Sequence, residues 1–321
     1  MSISSVPQFK LNNGKKVPAI GIGCWMGTVG DSHQVTEMVL NALRLGYRLI
    51  DTVSPFDLSK NLWNERSVGQ AIRESNVPRS ELFLVTKLSS EDHGRPEEAL
   101  QHSLDRLCVD YVDLYLMHWP QAFDAAHDRY CSPEESPTFI ETWKMMEGLV
   151  ETGKTRSIGV SNFSIKNLDI LLQNARIVPV TNQVELHPCL PQHELLSYCS
   201  SRDILLTAYS PVGKHKFATN PTVLEIAQRK DASVAQVLLS WGVNRGTAII
   251  PKSTHETHMN ENLTLIALDN NDMQILDNVH RQPGMHHSVC GFHSSDLGGS
   301  CFGWTYDQLG WDMVEGGIMR S

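Results

Sequence analysis

The sequence predicts an α/β protein, and within that class an eight-stranded (β/α)8 barrel. From Val17 onward, short apolar runs alternate with longer segments whose apolar residues recur at helical spacing. The interval of roughly 30 residues is the length of a βα unit. Eight strand-like runs can be counted, and a helix-like segment follows nearly all of them. We therefore expect a single barrel domain over residues 1–281.

Composition narrows the functional classes. The chain has 321 residues, of which 41% are hydrophobic and 20% charged, as is usual for a globular protein with a large core. The formal net charge of -9 argues against a nucleic-acid partner, because binding to phosphates needs a basic face. The first residues do not resemble a targeting segment, and the apolar runs are too short to cross a membrane. We expect a cytoplasmic protein that is a monomer or a weak homo-oligomer.

The seven cysteines are odd in number and lie mostly inside apparent helices or strands. This pattern favours reduced thiols over a disulfide framework.

The first predicted element is a hairpin. Asn12, Asn13 and Gly14 separate two short apolar segments, which suggests a turn that closes the floor of the barrel. Eight barrel strands should follow. We expect them to end near Gly21, Asp51, Lys87, His118, Val160, Glu185, Tyr209 and Pro251.

Two of the intervening helices have clear start signals. Pro96 can occupy the first turn of a helix, and the leucines that follow at positions 100, 104 and 107 share one face. Ser136 followed by Pro137 predicts the start of another helix, which should end at Gly153.

Residues 282–321 are rich in Gly, Ser and His, and they predict a long irregular C-terminal tail. It either folds over the barrel mouth or is partly disordered. The tail contains five potential zinc ligands, which are His286, His287, Cys290, His293 and Cys301. Histidine-rich loops are usually only solvated, and no second ligand pair has recognised spacing, so we predict no metal.

Three polar residues at predicted strand ends are candidate catalytic groups: Asp51, Lys87 and His118. In a parallel barrel the carboxyl ends of the strands face one mouth, where such side chains converge. Each residue alone has a simpler interpretation, because strand-end lysines are often solvated and strand-end histidines are often structural. The functional hypothesis depends on their convergence.

Several separated motifs, in order along the chain, resemble those of the aldo-keto reductases. The similarity extends from about Phe9 to Val279. The motifs are Asp51-Thr52, the strand ending at Lys87, His118-Trp119-Pro120, the run from Gly153 to Phe163, Asn182-Gln183-Val184-Glu185, Ala208-Tyr209-Ser210-Pro211 and Ile250-Pro251-Lys252-Ser253.

This resemblance implies a barrel that binds a nicotinamide cofactor without a Rossmann glycine motif. Ser161, Asn162 and Gln183 match the family residues that bind the carboxamide, and Tyr209 matches the ring that stacks on the nicotinamide. The residues that match the phosphate and adenosine end are Ser210, Gly213, Lys214, Lys252, Ser253 and Asn262.

One cofactor position departs from the family pattern. His258 stands where members that prefer NADPH usually have an arginine. Arginine binds phosphate with a permanent charge, whereas histidine is largely neutral near pH 7. Lys252 still favours NADP(H), and NAD(H) is the alternative cofactor.

The proton donor of the family is missing from the matching position. Asp51, Lys87 and His118 match three members of its catalytic group, but the tyrosine expected five residues after the aspartate is Phe56. Counting back from Asn64-Glu65 places Leu62 there instead, and there is no tyrosine between Asp51 and Glu65.

Several groups could replace the missing phenol. A protonated His118 is the favoured acid, Lys87 is a second candidate, and Ser54 or Ser59 could position a water molecule. An iminium substrate would need no acid at all. The alternatives to a reductase are a catalytically inactive NADP(H)-binding sensor, and a non-redox enzyme that uses Lys87 or His118 as a base.

The substrate pocket should be lined by Trp25, Phe56 and Trp119, with Trp63 as a further candidate. From the tail, Trp304, Tyr306 or Trp311 could close it. Aromatic walls suit a small apolar or aromatic substrate. The overall prediction is an oxidoreductase that transfers hydride from NAD(P)H to a carbonyl or imine carbon.

Overall fold

The predicted barrel is confirmed. The computed structural model describes residues 6–26, 32–52, 64–214 and 216–320. The strands among these described residues are β1 (Gln8–Lys10), β2 (Lys16–Pro18), β3 (Gly21–Gly23), β4 (Leu49–Asp51), β5 (Phe83–Leu88), β6 (Leu114–Met117), β7 (Phe123–Asp124), β8 (Arg129–Tyr130), β9 (Ile158–Ser161), β10 (Thr181–Glu185), β11 (Leu205–Tyr209), β12 (Ala248–Ile249), β13 (Ser300–Cys301), β14 (Trp304–Thr305), β15 (Met313–Val314) and β16 (Ile318–Met319). Eight of them are parallel and form one sheet in the order β3-β4-β5-β6-β9-β10-β11-β12.

The first and last barrel strands meet and close the ring. A parallel bridge joins Ile20 to Ile249, whose backbone N–H donates to Ala19 O at 2.8 Å. The Gly23 N–H donates to Pro251 O at 3.0 Å. The eight predicted strand ends lie within two residues of those observed.

The predicted N-terminal hairpin is present and covers one end of the barrel. Strands β1 and β2 pair antiparallel. Leu11 and Val17 join the apolar cluster inside the barrel, whose other buried members come from the strands and their flanks. The Asn13 amide donates to Ser157 Oγ at 2.8 Å, which ties the turn to the floor. The hairpin therefore closes the floor of the barrel, opposite the mouth at the carboxyl ends of the strands.

Helices pack around the sheet and, in the tail, over its carboxyl end, and each has buried residues. They are α1 (His33–Leu45), α2 (Glu65–Glu74), α3 (Pro96–Leu107), α4 (Phe139–Glu151), α5 (Ile165–Leu172), α6 (His193–Ser200), α7 (Pro221–Arg229), α8 (Val234–Asn244), α9 (Glu256–Asn262), α10 (Asn270–Asp277) and α11 (Tyr306–Leu309). Among the described residues, no helix combines the length and the apolar composition needed to span a bilayer.

Helix α3 begins at Pro96 as predicted, and its leucine stripe is buried. Helix α4 begins at Phe139 rather than at Pro137. The Thr138 hydroxyl accepts from the Glu141 N–H, and the Glu141 carboxylate accepts from the Thr138 N–H. This reciprocal capping box satisfies two end groups of the helix and sets the start two residues later than predicted.

The chain from Gln282 to Arg320 is folded onto the carboxyl end of the barrel. It contains two short antiparallel pairs, β13–β14 and β15–β16, and helix α11. The Gln121 amide donates to Cys301 O at 2.9 Å, and the Trp304 indole N–H donates to Cys131 O at 2.7 Å. Polar bonds of this kind join the tail to the loop that follows β6.

Candidate active site

A buried ion pair lies at the carboxyl ends of β4 and β5. Lys87 Nζ is 2.5 Å from Asp51 Oδ1, and it also donates to Thr52 O at 2.8 Å. The two side chains are only 2% and 5% exposed. They meet because β4 and β5 are adjacent parallel strands whose carboxyl ends share the mouth. Two of the three predicted catalytic residues are thus in direct contact.

Gln183 extends this pair across the barrel. Its Nε2 donates to Asp51 Oδ2 at 2.7 Å, so both carboxylate oxygens of Asp51 have a donor. The sequence motifs place Gln183 only with the cofactor residues and do not reveal this bond. The two residues are 132 positions apart, and the barrel alone brings β10 to β4.

Cys24, another buried neighbour, was not predicted as part of the site. Burial, followed by the negative charge of Asp51, raises the pKa of its thiol. A neutral thiol is therefore the form present beside the ion pair. Its place directly after β3, the first barrel strand, was the one signal that could have identified it.

His118 follows β6, and its backbone anchors it between two neighbours. Its N–H donates to Leu88 O at 3.2 Å, and its carbonyl accepts from Asn162 Nδ2 at 3.0 Å. Burial and then the positive charge of Lys87 lower the pKa of the imidazole to about 3. His118 is therefore neutral near pH 7, which argues against the predicted imidazolium acid. A neutral imidazole can still orient a substrate oxygen through its N–H.

The four predicted carboxamide and stacking residues form one hydrogen-bonded network. The Tyr209 hydroxyl donates to Asn162 Oδ1 at 2.8 Å, and Asn162 Nδ2 donates to Ser161 Oγ at 3.1 Å. Ser161 Oγ in turn donates to Gln183 O at 2.8 Å. A planar carboxamide has an N–H₂ donor and a carbonyl acceptor, so it needs partners that can both accept and donate, as these hydroxyl and amide groups can. The donor set therefore fits a nicotinamide.

The predicted phosphate-side residues follow β11 and β12. Ser210, Gly213 and Lys214 all have positive φ values, of 50°, 57° and 51°, so this segment turns sharply. Lys214 and Lys252 are exposed cations, which suits contact with phosphate in solution.

Of the three remaining predicted residues of this group, His258 and Asn262 lie in α9 and Ser253 precedes it. Ser253 is buried, its hydroxyl donates to His255 O at 3.3 Å, and Asn262 is buried at the end of the helix. His258 is exposed, with its ring centroid 5.3 Å from that of His255.

The predicted substrate residues occupy different environments. Trp25 is 45% exposed, whereas Trp119 is 3% exposed. The Trp119 ring packs against tail aromatics, with centroid distances of 5.0 Å to Phe292, 4.7 Å to Phe302 and 6.2 Å to Trp311. Of the predicted tail residues, only Trp311 contacts Trp119 in this cluster, and Trp119 is covered by the tail rather than open to the mouth.

The predicted proton-donor loop lies outside the described residues. This applies to Phe56 and Leu62, and also to Ser54, Ser59 and Trp63. The positions of the two candidate tyrosine replacements therefore stay predictions.

A cavity of about 360 Å³ lies beside Asn162 and Tyr209, under the tail. Its apolar wall includes Phe163, Leu190 and the tail residues Phe292 and Trp311. The cavity lies next to the carboxamide network, and the three predicted catalytic side chains are not part of its lining.

The potential zinc ligands of the tail do not converge. The His287 ring is 2.6 Å from Ser288 O, and the His293 ring is 2.8 Å from the Tyr306 hydroxyl. The His286 ring packs against His280 at 4.8 Å between centroids. Within the described ranges, no group of three His, Cys, Asp or Glu side chains is arranged to hold a metal.

Comparison with known proteins adds independent support for the family resemblance. The family model described as "Aldo/keto reductase family" matches residues 19–281. Glycerol 2-dehydrogenase (NADP(+)) of Saccharomyces cerevisiae is 41% identical over 292 residues, covering 85% of this chain and 91% of the relative. Glyoxal reductase of Bacillus subtilis is 39% identical over 276 residues, covering 85% and 92%.

Solved structures of aldo-keto reductases are also similar to this chain. An aldo/keto reductase from Brucella melitensis superposes with a TM-score of 0.75 at 36% identity, covering 85% of this chain and 99% of that one. A Bombyx mori aldo-keto reductase in complex with NADP superposes with a TM-score of 0.79 at 33% identity, covering 89% and 95%.

Proposed function

Because the chain belongs to the aldo/keto reductase family, we propose that it transfers hydride from NADP(H) to the carbonyl or imine carbon of a small apolar or aromatic substrate. The observation that carries this proposal is the buried contact of Gln183 with Asp51, which itself pairs with Lys87. It joins a residue of the carboxamide network directly to the ion pair at the mouth. NADP-dependent activity is also part of the name of the yeast relative.

In this proposal the cofactor supplies the hydride, and the residues of the chain orient it and handle the proton. Ser161, Asn162 and Gln183 hold the carboxamide, while Tyr209 supports the ring from one side. Lys214 and Lys252 contact the phosphates. His118 donates its N–H to the substrate oxygen and polarises the carbonyl.

The proton for the reduced oxygen comes from Lys87 in this scheme. An ammonium group has three donors, and the described residues accept two of them, at Asp51 and at Thr52 O. The third can be directed at the oxygen of a substrate. Bound NADP(H) would supply the hydride to the carbonyl carbon, and Lys87 would supply this proton to the substrate oxygen as the π bond breaks. Water then reprotonates the lysine. For an iminium substrate the hydride alone completes the reduction.

Titration with NADPH is the first test. Binding should quench tryptophan fluorescence, and absorbance at the wavelength of the reduced nicotinamide should fall with a panel of aldehydes, ketones and cyclic imines.

Phe56→Tyr tests the missing acid, because positioned acid catalysis contributes roughly 10²–10⁴-fold. A rise in carbonyl reduction would place position 56 at the proton donor. Leu62→Tyr is the matched variant for the second register.

Cofactor preference follows from Lys252 and His258. We propose a preference for NADPH over NADH, weaker than an arginine at position 258 would give. His258→Arg should lower the Kd for NADPH and leave the Kd for NADH nearly unchanged. An equal change in both constants would contradict a role for position 258 near the additional phosphate.

The second candidate is an NADP(H)-binding sensor with little catalysis. The sequence has no tyrosine between Asp51 and Glu65, and the lowered pKa of His118 removes one substitute acid. Binding of NADPH without consumption across the whole substrate panel would favour the sensor. Turnover of a non-redox substrate that requires no NADPH would favour elimination or isomerisation.

We also propose a cytoplasmic location and a monomer or weak homo-oligomer. All seven cysteines are free, which suits a reducing compartment. Light scattering across a concentration series would test the oligomeric state, and fractionation would test the compartment.

A further inference from the structure

The carboxylate of Glu185, at the carboxyl end of β10, has no role in the proposed chemistry. It is 4% exposed, and its oxygens are hydrogen-bonded by His187, Ser288 and Val289. Oε1 is 2.8 Å from His187 Nε2 and accepts from the Val289 N–H at 2.7 Å, and Oε2 accepts from the Ser288 hydroxyl at 2.5 Å. A buried carboxylate with donors from separate segments fixes those segments relative to each other.

Two of the three donors belong to the tail. Ser288 Oγ also accepts from the Cys290 N–H at 3.1 Å, and the Ser288 N–H donates to Gly317 O at 2.9 Å. Cys290 also contacts the segment that carries Ser210, because Cys290 Sγ is 3.8 Å from Ser210 Oγ. The tail segment Ser288–Cys290 therefore bridges Glu185 and Ser210.

The third donor, His187, contacts the segment that carries Ser210 through Phe217. The His187 ring is fully buried and packs edge-on against Phe217, with 6.0 Å between centroids. Phe217 is 1% exposed and lies against Gly213, where an added Cβ would come within 2.3 Å of its ring. Gly213 is thus held directly over a side chain that His187 positions.

We propose that Glu185 is a positioning residue that couples the tail segment Ser288–Cys290 to the segment that carries Ser210, Gly213 and Phe217, so that the two open as one unit. If Ser210 and Gly213 hold the cofactor phosphates, cofactor release requires this unit to open. The consequence for release rests on the proposed function, whereas the coupling itself does not.

Hydrogen exchange of the full-length protein tests the coupling without any cofactor. In Glu185→Gln, peptides that contain Val289 and peptides that contain Ser210 and Phe217 should both exchange at least roughly tenfold faster. This is the effect expected from losing one hydrogen bond to a charged group. Faster exchange in the tail alone, or in neither region, would overturn the coupling.

Ser288→Ala is the variant to use for the same exchange measurement if Glu185→Gln does not fold. It removes one donor and leaves the carboxylate in place, so exchange should rise roughly threefold or more in both regions. Ser294→Ala is the matched control, because among the described residues the Ser294 hydroxyl bonds only to Asp296, within the tail, at 2.7 Å from its carboxylate. It should leave the region of Ser210 and Phe217 unchanged. A control that changed this region as much as Ser288→Ala would contradict the proposal.

Stopped-flow fluorescence of NADPH release tests the consequence. The dissociation rate constant should rise roughly tenfold in Glu185→Gln and stay unchanged in Ser294→Ala. Unchanged release in Glu185→Gln would overturn the link to release. A wild-type protein that binds no NADPH would instead overturn the proposed function, and the exchange experiment would still decide the coupling.

Discussion

Lys87 and Asp51 depend on each other because both are buried. Removing one partner of a buried pair leaves an uncompensated charge, at a cost of roughly 3–5 kcal/mol. Lys87→Met should therefore lower the free energy of unfolding by about this amount. The loss in the double variant Lys87→Met/Asp51→Asn should be smaller than in the single one. Urea unfolding of the wild type, Lys87→Met, Asp51→Asn and the double variant measures these free energies. A double variant that loses more free energy of unfolding than Lys87→Met would contradict the pairing.

His118 should remain neutral over the range in which enzymes are usually assayed. Its imidazole pKa is lowered to about 3 by burial and by Lys87, so its ring nitrogens should show no titration between pH 8 and pH 5. Histidine NMR, with His118→Gln used to assign the signal, measures this directly. A midpoint near 6.5 for the assigned signal would mean that Lys87 and burial do not act on the ring as described.

The sequence identified the polar residues of the site but not their connections. Asp51, Lys87 and His118 are recognisable because each ends an apolar run and matches a family motif. The bond from Gln183 to Asp51 depends on the distance between two strands that are far apart in sequence. The lowered pKa of His118 depends on burial, which a motif does not encode. Trp119 is predicted to line a mouth that a tail aromatic could close, but the sequence does not show which tail rings pack on it, because that depends on the path of the tail.

Helix α2 approaches α3 at a glycine. An added Cβ at Gly69 would lie 2.3 Å from the backbone oxygen of Leu107, a contact that only a shift of one helix could relieve. Gly69→Ala should therefore lower the free energy of unfolding, by roughly 1–3 kcal/mol.

Gly148→Ala is the matched control within a helix. An added Cβ there meets no atom within 4 Å, so the gain in helix propensity should raise stability by about 0.5–1 kcal/mol. Thermal unfolding of both variants gives the comparison. Equal effects at the two positions would contradict a packing role for Gly69.

Elements with strong periodic patterns were predictable, and short ones were not. The leucine stripe of α3 and the apolar runs of the barrel strands each have a pattern of several residues. The start of α4 was misplaced because Ser136–Pro137 is itself a good start signal, and the competing capping box at Thr138 and Glu141 was not recognised. The tail strands are only two residues long, so no alternation could reveal them.

The whole molecule should lose stability as the pH falls below neutral. Burial lowers the pKa of His93 to about 3, and that of His118 is also about 3. The unfolded chain binds protons at these residues below about pH 6.5, whereas the folded chain does not until about pH 3. The free energy of unfolding therefore decreases as the pH falls through this window.

Urea unfolding between pH 7.5 and pH 5 measures the effect, whose slope is at most about 1.4 kcal/mol per pH unit for each histidine. His93→Gln should flatten the dependence, even if it lowers stability at every pH. A wild-type protein that is equally stable at pH 7.5 and pH 5 would contradict the prediction.

Closure of the ring through Ile20 and Ile249 has a consequence for association between molecules. Each of the eight central strands has a neighbour on both sides, so its backbone donors and acceptors are not presented to another chain. Strand addition from a second molecule would first require the β3–β12 seam to separate. That seam has only a single bridge and a few flanking hydrogen bonds. Aggregation through the barrel should therefore be limited by the rate at which this one seam opens, rather than by how often two folded molecules collide.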